Sequence, residues 1–185
     1  LRAIAEWATD RGVWIISDEI YRRIYFDGPL APGIYDLPAE LTSRAILLDG
    51  TSKAFAMTGW RCGWTIAPAA MIAACNTIQG HSTSNISSIT QKAAVGALSG
   101  PQEAVGRTLA EYRTRHDSVH AWLTADSAIR CTRAGGPFYL FPDITALLPP
   151  AAIRTSAQFT QALLDEAHVA VTPGEAFDAP GHIRI

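Results

Sequence analysis

Residues 48–64 read LDGTSKAFAMTGWRCGW, and they set one lysine and one arginine eight positions apart in otherwise apolar and aromatic surroundings. Charged side chains make up only 17% of this 185-residue chain, so the pair Lys53 and Arg61 needs a reason. The apolar run RAILLDGTS, residues 44–52, leads directly into the lysine. An apolar strand that ends in polar residues is typical of the buried sheet of an α/β protein.

The residues on either side of this stretch extend the α/β pattern. The opening residues, LRAIAEWATDR, predict an amphipathic helix closed by a glycine, and the apolar run VWIISDE at 13–19 predicts a strand buried on both faces. CGWTIAP, residues 62–68, predicts a third strand. Ligands in such sheets bind beyond the carboxyl ends of the strands. We therefore expect Asp18 to lie close to Ser52 and Lys53, although more than thirty positions separate them.

The second half of the chain has a different pattern, with helices and strands in separate runs. SSITQKAAVGALSG predicts a helix, and a longer helix is predicted at about 101–124. Beyond it, AIRCT and GPFYLFP predict strands, TSAQFTQALLDEA predicts a helix and HVAVTPG predicts a further strand. Such runs are typical of a small α+β domain that follows an α/β part.

Composition and charge exclude several classes of function. The formal net charge is −2 with acids and bases interspersed, so neither nucleic-acid binding nor a polybasic membrane patch is indicated. No stretch has the length of a membrane span, and no signal peptide is recognisable. Three scattered cysteines (Cys62, Cys75 and Cys131) favour buried reduced thiols in a cytoplasmic protein. The chain opens inside a helical pattern and stops as a strand begins, so we expect an internal segment of a longer protein.

Lys53 has three possible interpretations from the residues alone. A surface lysine at a strand end is the commonest case. A phosphate-binding P-loop fails, because that motif needs a glycine where Ala45 stands and a serine or threonine where Ala54 stands. A lysine that forms a Schiff base with a carbonyl group needs a partly buried amine with cationic neighbours. Arg61 and apolar neighbours such as Phe55 would supply those surroundings.

Asp18 follows the strand VWIIS directly, and it is either a helix N-cap or a functional acid at the strand end. Tyr21 stands three residues on, so one turn would place carboxylate and phenol against the same ligand. A buried carboxylate facing a pyridine nitrogen keeps that nitrogen protonated, and a phenol can donate to a ring oxygen. Glu19 is interpreted as a surface or packing residue.

Other patterns that carry chemistry are weak or missing. His116 and His120 have the i, i+4 spacing of a zinc pair, but Asp117 replaces the glutamate of the metalloprotease motif and no third ligand is evident. We therefore predict no metal site. The chain also lacks the G-x-S-x-G of serine hydrolases and the G-x-G-x-x-G of dinucleotide-binding proteins, so those two classes drop out.

Three motifs in the right order resemble the class I and II aminotransferases, which are fold type I enzymes that depend on pyridoxal 5'-phosphate (PLP). They are SDEIY at 17–21, TSKAFAMTGWRCGW at 51–64 and PGEAFDAPGHIRI at 173–185. The resemblance implies the later part of an α/β large domain, with a mainly parallel sheet, and a smaller α+β C-terminal domain. The implied bounds are 1–98 for the large domain, 99–124 for an interdomain helix and 125–185 for the truncated small domain.

The resemblance implies a role for each polar residue near the predicted strand ends. Lys53 would hold PLP covalently and move a proton at the substrate. Asp18 would pair with the pyridine nitrogen of the cofactor, and Tyr21 would pair with its phenolic oxygen. Ser52 and Arg61 would bind the cofactor phosphate, the arginine as a charge-assisted clamp.

The resemblance extends to the substrate and to the oligomer. Arg184 matches the arginine that grips the substrate α-carboxylate, and a structural salt bridge is the alternative interpretation. HSTSN, residues 81–85, matches a loop at the interface of a homodimer, to which Ser84 would contribute. A branch specific for dicarboxylates has an arginine four residues before that serine, where this chain has Gly80. Recognition of an acidic side chain by that route is therefore unsupported.

The expected activity is the transfer of an amino group between an L-amino acid and a 2-oxo acid, in a cytoplasmic homodimer. Two alternatives stay open: a PLP-dependent lyase on the same fold, and an aminotransferase-like effector domain of a transcription regulator. In members of this family, the N-terminal half of the protein carries further parts of the cofactor site, and residues 1–185 lack them. We therefore expect this segment alone to be inactive.

Overall fold

The structure of the chain is a computed structural model that describes residues 1–148 and 153–185. These residues form two compact units, Leu1–Leu109 and Ala110–Ile185. The first unit combines helices with a three-stranded sheet, and the second combines helices with short paired strands. The expected α/β class is confirmed at this level, whereas the finer domain bounds stay a prediction.

The chain opens with the predicted helix and strand, α1 at Arg2–Arg11 and β1 at Ile15–Asp18. The helix buries Ala5 and Ala8 on its inner face. Gly12 ends the helix in the left-handed conformation at φ 63°, which glycine adopts without a Cβ penalty, and its N–H donates to carbonyl oxygens of the last turn. The glycine thus turns the chain from helix into strand.

The sheet of the first unit has the order β1, β2, β3, where β2 is Ala45–Gly50 and β3 is Gly63–Ile66. β1 and β2 are parallel, whereas β2 and β3 are antiparallel. The expectation of a mainly parallel sheet is therefore wrong for the described strands. The connection at residues 51–62 contains no α-helix and closes at its base, where the Thr51 N–H donates to the Cys62 carbonyl oxygen, so β3 returns beside β2 in the opposite direction.

The core of the first unit lies on one face of the sheet. Ile34, Ala45 and Leu47 are buried together, and Ile15 packs against them. The prediction that β1 is buried on both faces is wrong, because Ile16 on the opposite face is 67% exposed. An apolar run alone cannot distinguish these cases, because the elements packed on each face decide the burial.

The helices that follow the sheet agree unevenly with the sequence. α4, Ser88–Ser99, is confirmed, and α5, Glu103–Thr124, begins slightly later than predicted. α2, Ala39–Thr42, is a single turn. α3, Ala69–Ser82, was not predicted, because its own apolar residues are spread around the helix and form no stripe. None of its residues is buried.

The second unit contains α6, Ser156–Ala167, which is confirmed and is capped by the Thr155 side chain accepting from the N–H of Gln158. β4, Thr172–Pro173, and β5, Ile183–Arg184, form an antiparallel pair. A short 3₁₀ turn runs over Gly174–Phe177 and another over Thr145–Leu147.

The strands predicted for the second unit are shorter than expected. AIRCT contributes one bridge, between Arg130 and Asp143, and HVAVTPG contributes only β4. GPFYLFP forms no regular strand, although Leu140 and Ile185 exchange backbone hydrogen bonds of 3.1 and 3.0 Å. Pro137 and Pro142 lack the N–H that a continuous ladder needs, which accounts for the broken pairing.

Candidate active site

The parallel pairing of β1 with β2 brings their polar carboxyl ends together. Asp18 is in register with Leu48, and the next residue along β1, Glu19, donates its N–H to the Leu48 carbonyl oxygen at 2.8 Å. Two residues beyond the end of β2, the chain reaches Ser52 and Lys53. The expectation that Asp18 and Lys53 belong to the same end of the sheet is therefore supported by the strand register.

The lysine and the tyrosine meet at this end of the sheet. The Lys53 Nζ atom lies 5.5 Å from the centre of the Tyr21 ring, within the range of a cation–π contact. Both side chains are half-buried. Within residues 1–148 and 153–185, no carboxylate forms an ion pair with Lys53. The amine is thus held near an aromatic face without a neutralising partner there.

Asp18 is oriented by the turn that follows β1. Its Oδ1 accepts a hydrogen bond of 3.1 Å from the backbone N–H of Ile20, which caps the turn after β1. The turn does not continue into a helix, so the carboxylate is not a helix N-cap. The side chain is exposed, and no described residue hydrogen-bonds its Oδ2. One oxygen therefore orients the carboxylate and the other can face a ligand.

Lys53 and Arg61 both lie in the loop of residues 51–62 that joins β2 to β3. At its base, Thr51 is buried and donates its N–H to the Cys62 carbonyl oxygen at 3.1 Å. Ser52 and Arg61 are the next residues inside this closure, so the structure brings them to the same end of the hairpin. Arg61 is exposed, has a positive φ of 52°, and donates to the Thr58 carbonyl oxygen at 3.0 Å. No hydrogen bond joins Ser52 to Arg61 among the described contacts.

A glycine makes the close approach of these strands possible. A Cβ atom built on Gly50 would lie 2.6 Å from the Cys62 carbonyl oxygen and 3.1 Å from the Gly63 Cα atom. Any larger residue would push β3 away from β2. The glycine before the TSK sequence therefore has a packing role, which the comparison with phosphate-binding loops did not reveal.

A polar network that was not predicted from the sequence supports the turn carrying Asp18 and Tyr21. Glu19 is buried, and its Oε1 accepts from the Ile34 N–H at 2.6 Å and from the Ser17 hydroxyl at 3.0 Å. Its Oε2 lies 3.6 Å from the Arg22 Nη1 atom. The prediction of a surface or packing residue is thus correct only in its second half. A glutamate directly after a buried strand was the available signal.

Arg22 connects this network to the segment before α2. Its Nη2 donates to both oxygens of Asp36 at 2.6 and 2.7 Å, and its Nε donates to the Ala31 carbonyl oxygen at 3.0 Å. The hydrogen bond from the Gly33 N–H, together with that from Arg22, holds the pKa of Asp36 below its usual value. The guanidinium is therefore fully engaged in structure.

Asp49 is a further acidic residue of the first unit, and its pKa shifts in the direction opposite to that of Asp36. Burial raises the pKa of Asp49, and a hydrogen bond from the Gly50 N–H partly offsets that effect. Asp49 lines a cavity of about 380 Å³ whose polar walls include Cys75, Asn76 and Gln79. Partial burial without a cationic ion-pair partner makes this carboxylate costly to ionise.

Arg184 belongs to the second unit and is held in another manner. Its guanidinium carbon lies 4.7 Å from the centre of the Tyr139 ring and 4.5 Å from the centre of the Phe177 ring. Among residues 1–148 and 153–185, no acidic side chain pairs with it. The structural salt bridge that was the alternative interpretation is therefore not found in the described part.

Comparison with known proteins identifies the family of this chain. The family model for aminotransferase class I and II matches residues 1–185. The chain belongs to the class I and II aminotransferase family. Its sequence is 38% identical over 185 residues to an aspartate aminotransferase of Geobacillus stearothermophilus, covering all of this chain and 47% of that protein. An aspartate aminotransferase of Streptomyces avermitilis is 35% identical over 189 residues, with 46% of its length covered.

Solved structures give the same assignment. The crystal structure of an aspartate aminotransferase from Rhizobium meliloti matches with a TM-score of 0.92 and 36% identity, covering the whole chain and 48% of that structure. An aromatic aminotransferase from Pyrococcus horikoshii matches with a TM-score of 0.89 and 32% identity, again with 48% of its length covered. The chain thus spans about half the length of the aminotransferases it matches.

The residue implied at a family dimer interface lies just after α3. Ser84 is exposed, has a positive φ of 61°, and donates its N–H to the Gln79 carbonyl oxygen at 2.8 Å. The structure thus places Ser84 in a tight turn and shows no contact between it and Lys53. Gly80 lies in α3 with open space where a side chain would be.

Neither the histidines nor the cysteines form a second reactive centre in the described residues. His116 Nδ1 lies 3.4 Å from Asp117 Oδ1, and His120 Nε2 lies 3.0 Å from the Cys131 carbonyl oxygen. No cluster of three or more potential metal ligands was found in residues 1–148 and 153–185. The expectation of buried thiols is correct only for Cys62, because Cys75 is exposed and Cys131 half-buried. Within the same ranges, no helix has the length and apolar character needed to cross a membrane.

Proposed function

We propose that the complete protein to which this chain belongs is a PLP-dependent aminotransferase that transfers an amino group between an L-amino acid and a 2-oxo acid. The observation that carries the proposal is the approach of the Lys53 amine to the Tyr21 ring at 5.5 Å, at the sheet end that also carries Asp18. Residues 1–98 would form the later part of the large domain, 99–124 an interdomain helix and 125–185 most of the small domain.

The donors at this end of the sheet fit PLP. When bound, PLP supplies an electron sink that stabilises negative charge at the substrate Cα atom. Lys53 would hold the cofactor through its Nζ atom, and Asp18 Oδ2 would accept from the pyridine N–H. Tyr21 would donate its phenol proton to the ring oxygen. Ser52 and Arg61, at the base of the β2–β3 loop, would bind the phosphate.

Lys53 would also move the proton at the substrate Cα atom. An amine can act as a general base and then as a general acid when no carboxylate holds it in an ion pair. Lys53 has no such partner among the described residues, and its half-buried stem limits the water around Nζ. Asp18 keeps its orientation during these steps because Ile20 N–H fixes one of its oxygens.

Arg184 would bind the α-carboxylate of the substrate by two parallel hydrogen bonds. This role is supported by the absence of an ion pair between the Arg184 guanidinium and any carboxylate of the described residues. The names of the relatives make aspartate the first donor to test, although Gly80 offers no cation for a second carboxylate. The relatives are aminotransferases, so neither the lyase nor the regulator alternative gains support.

A homodimer in the cytoplasm remains part of the proposal. Ser84 would contribute to the interface from its exposed turn after α3. The exposure of Ser84 in the single chain is compatible with such a contact, and sedimentation of the full-length protein with and without Ser84→Trp would test it. A shift of the variant toward monomer is expected.

The test of the activity is an absorbance spectrum of the full-length protein with PLP, before and after borohydride. We expect a near-ultraviolet or visible band that borohydride abolishes and that Lys53→Ala lacks. Lys92→Ala is the matched control, because Lys92 is the only other lysine of this chain and lies exposed on α4. Peptide mapping after reduction should find the cofactor on Lys53.

A panel of amino acids and 2-oxo acids then identifies the reaction. Bleaching of the band by an amino acid, reversed by a 2-oxo acid, would establish transamination. Release of ammonia and a 2-oxo acid without an acceptor would instead indicate a lyase. Identical spectra for wild type and Lys53→Ala would contradict the proposal.

A further inference from the structure

Two aromatic side chains of the second unit lie against the guanidinium of Arg184. The guanidinium carbon is 4.7 Å from the centre of the Tyr139 ring and 4.5 Å from the centre of the Phe177 ring. Arginine stacks on aromatic faces through cation–π attraction, and each such contact restricts the plane of the guanidinium. We call Tyr139 and Phe177 the aromatic clamp.

The clamp holds Arg184 without using its N–H groups. A salt bridge would fix an arginine equally well, but it would occupy the same fork of donors that a substrate carboxylate needs. In the described residues the guanidinium has neither an ion pair nor a side-chain hydrogen bond. Ring faces therefore restrict the orientation of the fork while leaving its hydrogen-bonding capacity for a ligand.

The rings of the clamp are themselves fixed by neighbours. Phe177 meets the ring of Phe141 edge to face, with ring centres 5.8 Å apart, and Tyr139 meets Phe138 at 4.9 Å. The backbone beside Tyr139 is tied to the strand of the arginine, because Leu140 exchanges two hydrogen bonds with Ile185. These contacts give the clamp a defined geometry before any ligand arrives.

The turn that carries Phe177 depends on a glycine. Gly174 begins this turn, is buried, and donates its N–H to the His182 carbonyl oxygen at 2.7 Å. A Cβ atom on Gly174 would collide with the carbonyl oxygens of Ala179 and His182. The close approach of these backbones therefore places Phe177 against β5.

We propose that Tyr139 and Phe177 are positioning residues that orient Arg184 for two-pronged binding of a substrate carboxylate. The role of Arg184 itself rests on the proposed function. The new element is the pair of residues that orient its guanidinium. An arginine free to rotate would lose orientational entropy when it binds a carboxylate, and prior restriction removes part of that cost. The effect should therefore appear in substrate binding more than in turnover.

The test uses the full-length holoenzyme with Tyr139→Leu and Phe177→Leu, each also made in an Arg184→Gln background. With Arg184 present, we expect KM for the amino acid to rise about three- to thirtyfold for each ring removed, with a smaller change in kcat. In the Arg184→Gln background, the same ring removals should change KM by no more than about twofold, because the rings act through the arginine. Tyr139→Phe keeps the ring face and should bind like wild type.

Phe141→Leu is the matched control within the same cluster, because Phe141 touches Phe177 and His182 but makes no described contact with the guanidinium. Its effect on KM should be smaller than that of either clamp variant. If the leucine variants do not fold, Tyr139→Met and Phe177→Met keep more volume without a ring face. Thermal unfolding of each variant checks that the fold persists.

Two outcomes would overturn the clamp: a normal KM in both ring variants, or an equal rise of KM with and without Arg184. Either result in an enzyme that still transaminates would leave the proposed function intact. A wild-type protein without the Lys53-dependent band or transamination would instead count against the proposed function. The two failures are therefore distinguishable.

Discussion

In the first unit Arg22 pairs with two carboxylates, whereas in the second unit Arg184 lies against two aromatic rings. Arg22 spends its donors on Asp36 and on the Ala31 carbonyl oxygen, and Glu19 lies 3.6 Å away. Arg184 keeps its donors uncommitted within the described residues. Two arginines of the same chemistry thus have opposite surroundings.

Lys53 belongs with Arg184 in this comparison. It has an aromatic neighbour, Tyr21, and no ion-pair partner in the described ranges. A cation neutralised by carboxylates stabilises the fold, whereas a half-buried cation held by ring faces is available to a ligand. Removing each type of cation should therefore affect different measurements.

Lys53→Ala should have the largest effect of these variants, and the effect should be on activity and not on folding. We expect kcat of the full-length enzyme to fall by about a thousandfold or more, because proton transfer at the substrate loses its acid and base. The urea midpoint of the cofactor-free protein should change little, since no ion pair is broken. Steady-state kinetics and urea unfolding measure the two quantities, and Lys92→Ala should leave both unchanged. A variant whose urea midpoint falls strongly while its kcat is unchanged would contradict the distinction between the two kinds of cation.

Arg22→Met should have the converse result. Removal of the guanidinium leaves buried Glu19 without its cation, and we expect a loss of about 3 kcal/mol in the free energy of unfolding. Arg184→Met should cost much less stability, because no described carboxylate depends on it. Urea unfolding of both variants compares them directly, and Glu19→Gln combined with Arg22→Met should recover part of the loss. Equal destabilisation by the two methionine variants would contradict the distinction.

Gly33→Ala tests how tightly the Arg22 network is packed. A Cβ atom there would lie 2.5 Å from Glu19 Oε2 and 2.7 Å from the Arg22 guanidinium carbon. We expect a loss of about 1–3 kcal/mol from overpacking. Gly106→Ala is the control, since its Cβ would meet open space within α5 and should be neutral or slightly stabilising. An unchanged urea midpoint for Gly33→Ala would show that the network can relax.

Asp49→Asn should give the smallest effect, and its sign depends on pH. The folded-state pKa of Asp49 is raised above the ordinary 3.8 by burial, so the folded state binds its proton more tightly than the unfolded state does. Ionisation therefore costs stability, and this cost is absent below pH 3.8 and fully present above the raised folded pKa. The variant should be relatively more stable than wild type at pH 7 than at pH 4. Urea midpoints at the two pH values measure this difference, and a constant difference would contradict it.

Parts of this structure were predictable because local chemistry decides them. The apolar run of β2 and the polar residues after it predicted a strand and a site at its end. Helix α1 stops at Gly12 because the left-handed conformation suits glycine. Asp18, Tyr21 and Lys53 were likewise predicted to share one end of the sheet, since parallel strands place their carboxyl ends together.

Other parts depended on contacts that no local pattern contains. The sequence suggested that β1 is covered on both faces, but Ile16 remains exposed. The pairing at residues 136–142 is interrupted because Pro137 and Pro142 have no N–H to donate, although the segment was predicted as a strand. Glu19 and Arg22 form a network with a segment more than ten residues away, so single-residue reasoning assigned Glu19 only a passive role.

The family, the strand that leads to Lys53 and the polar residues of the proposed site were all predictable from the amino-acid sequence. These follow from residue types and spacing, which act over a few positions of the chain. Which cations are neutralised depends instead on contacts in the folded chain, where Arg22 lies beside carboxylates and Arg184 lies against two aromatic rings. The physical reason is that the electrostatic interaction energy of a charge depends on the groups nearest to it in space, and only folding brings those groups together.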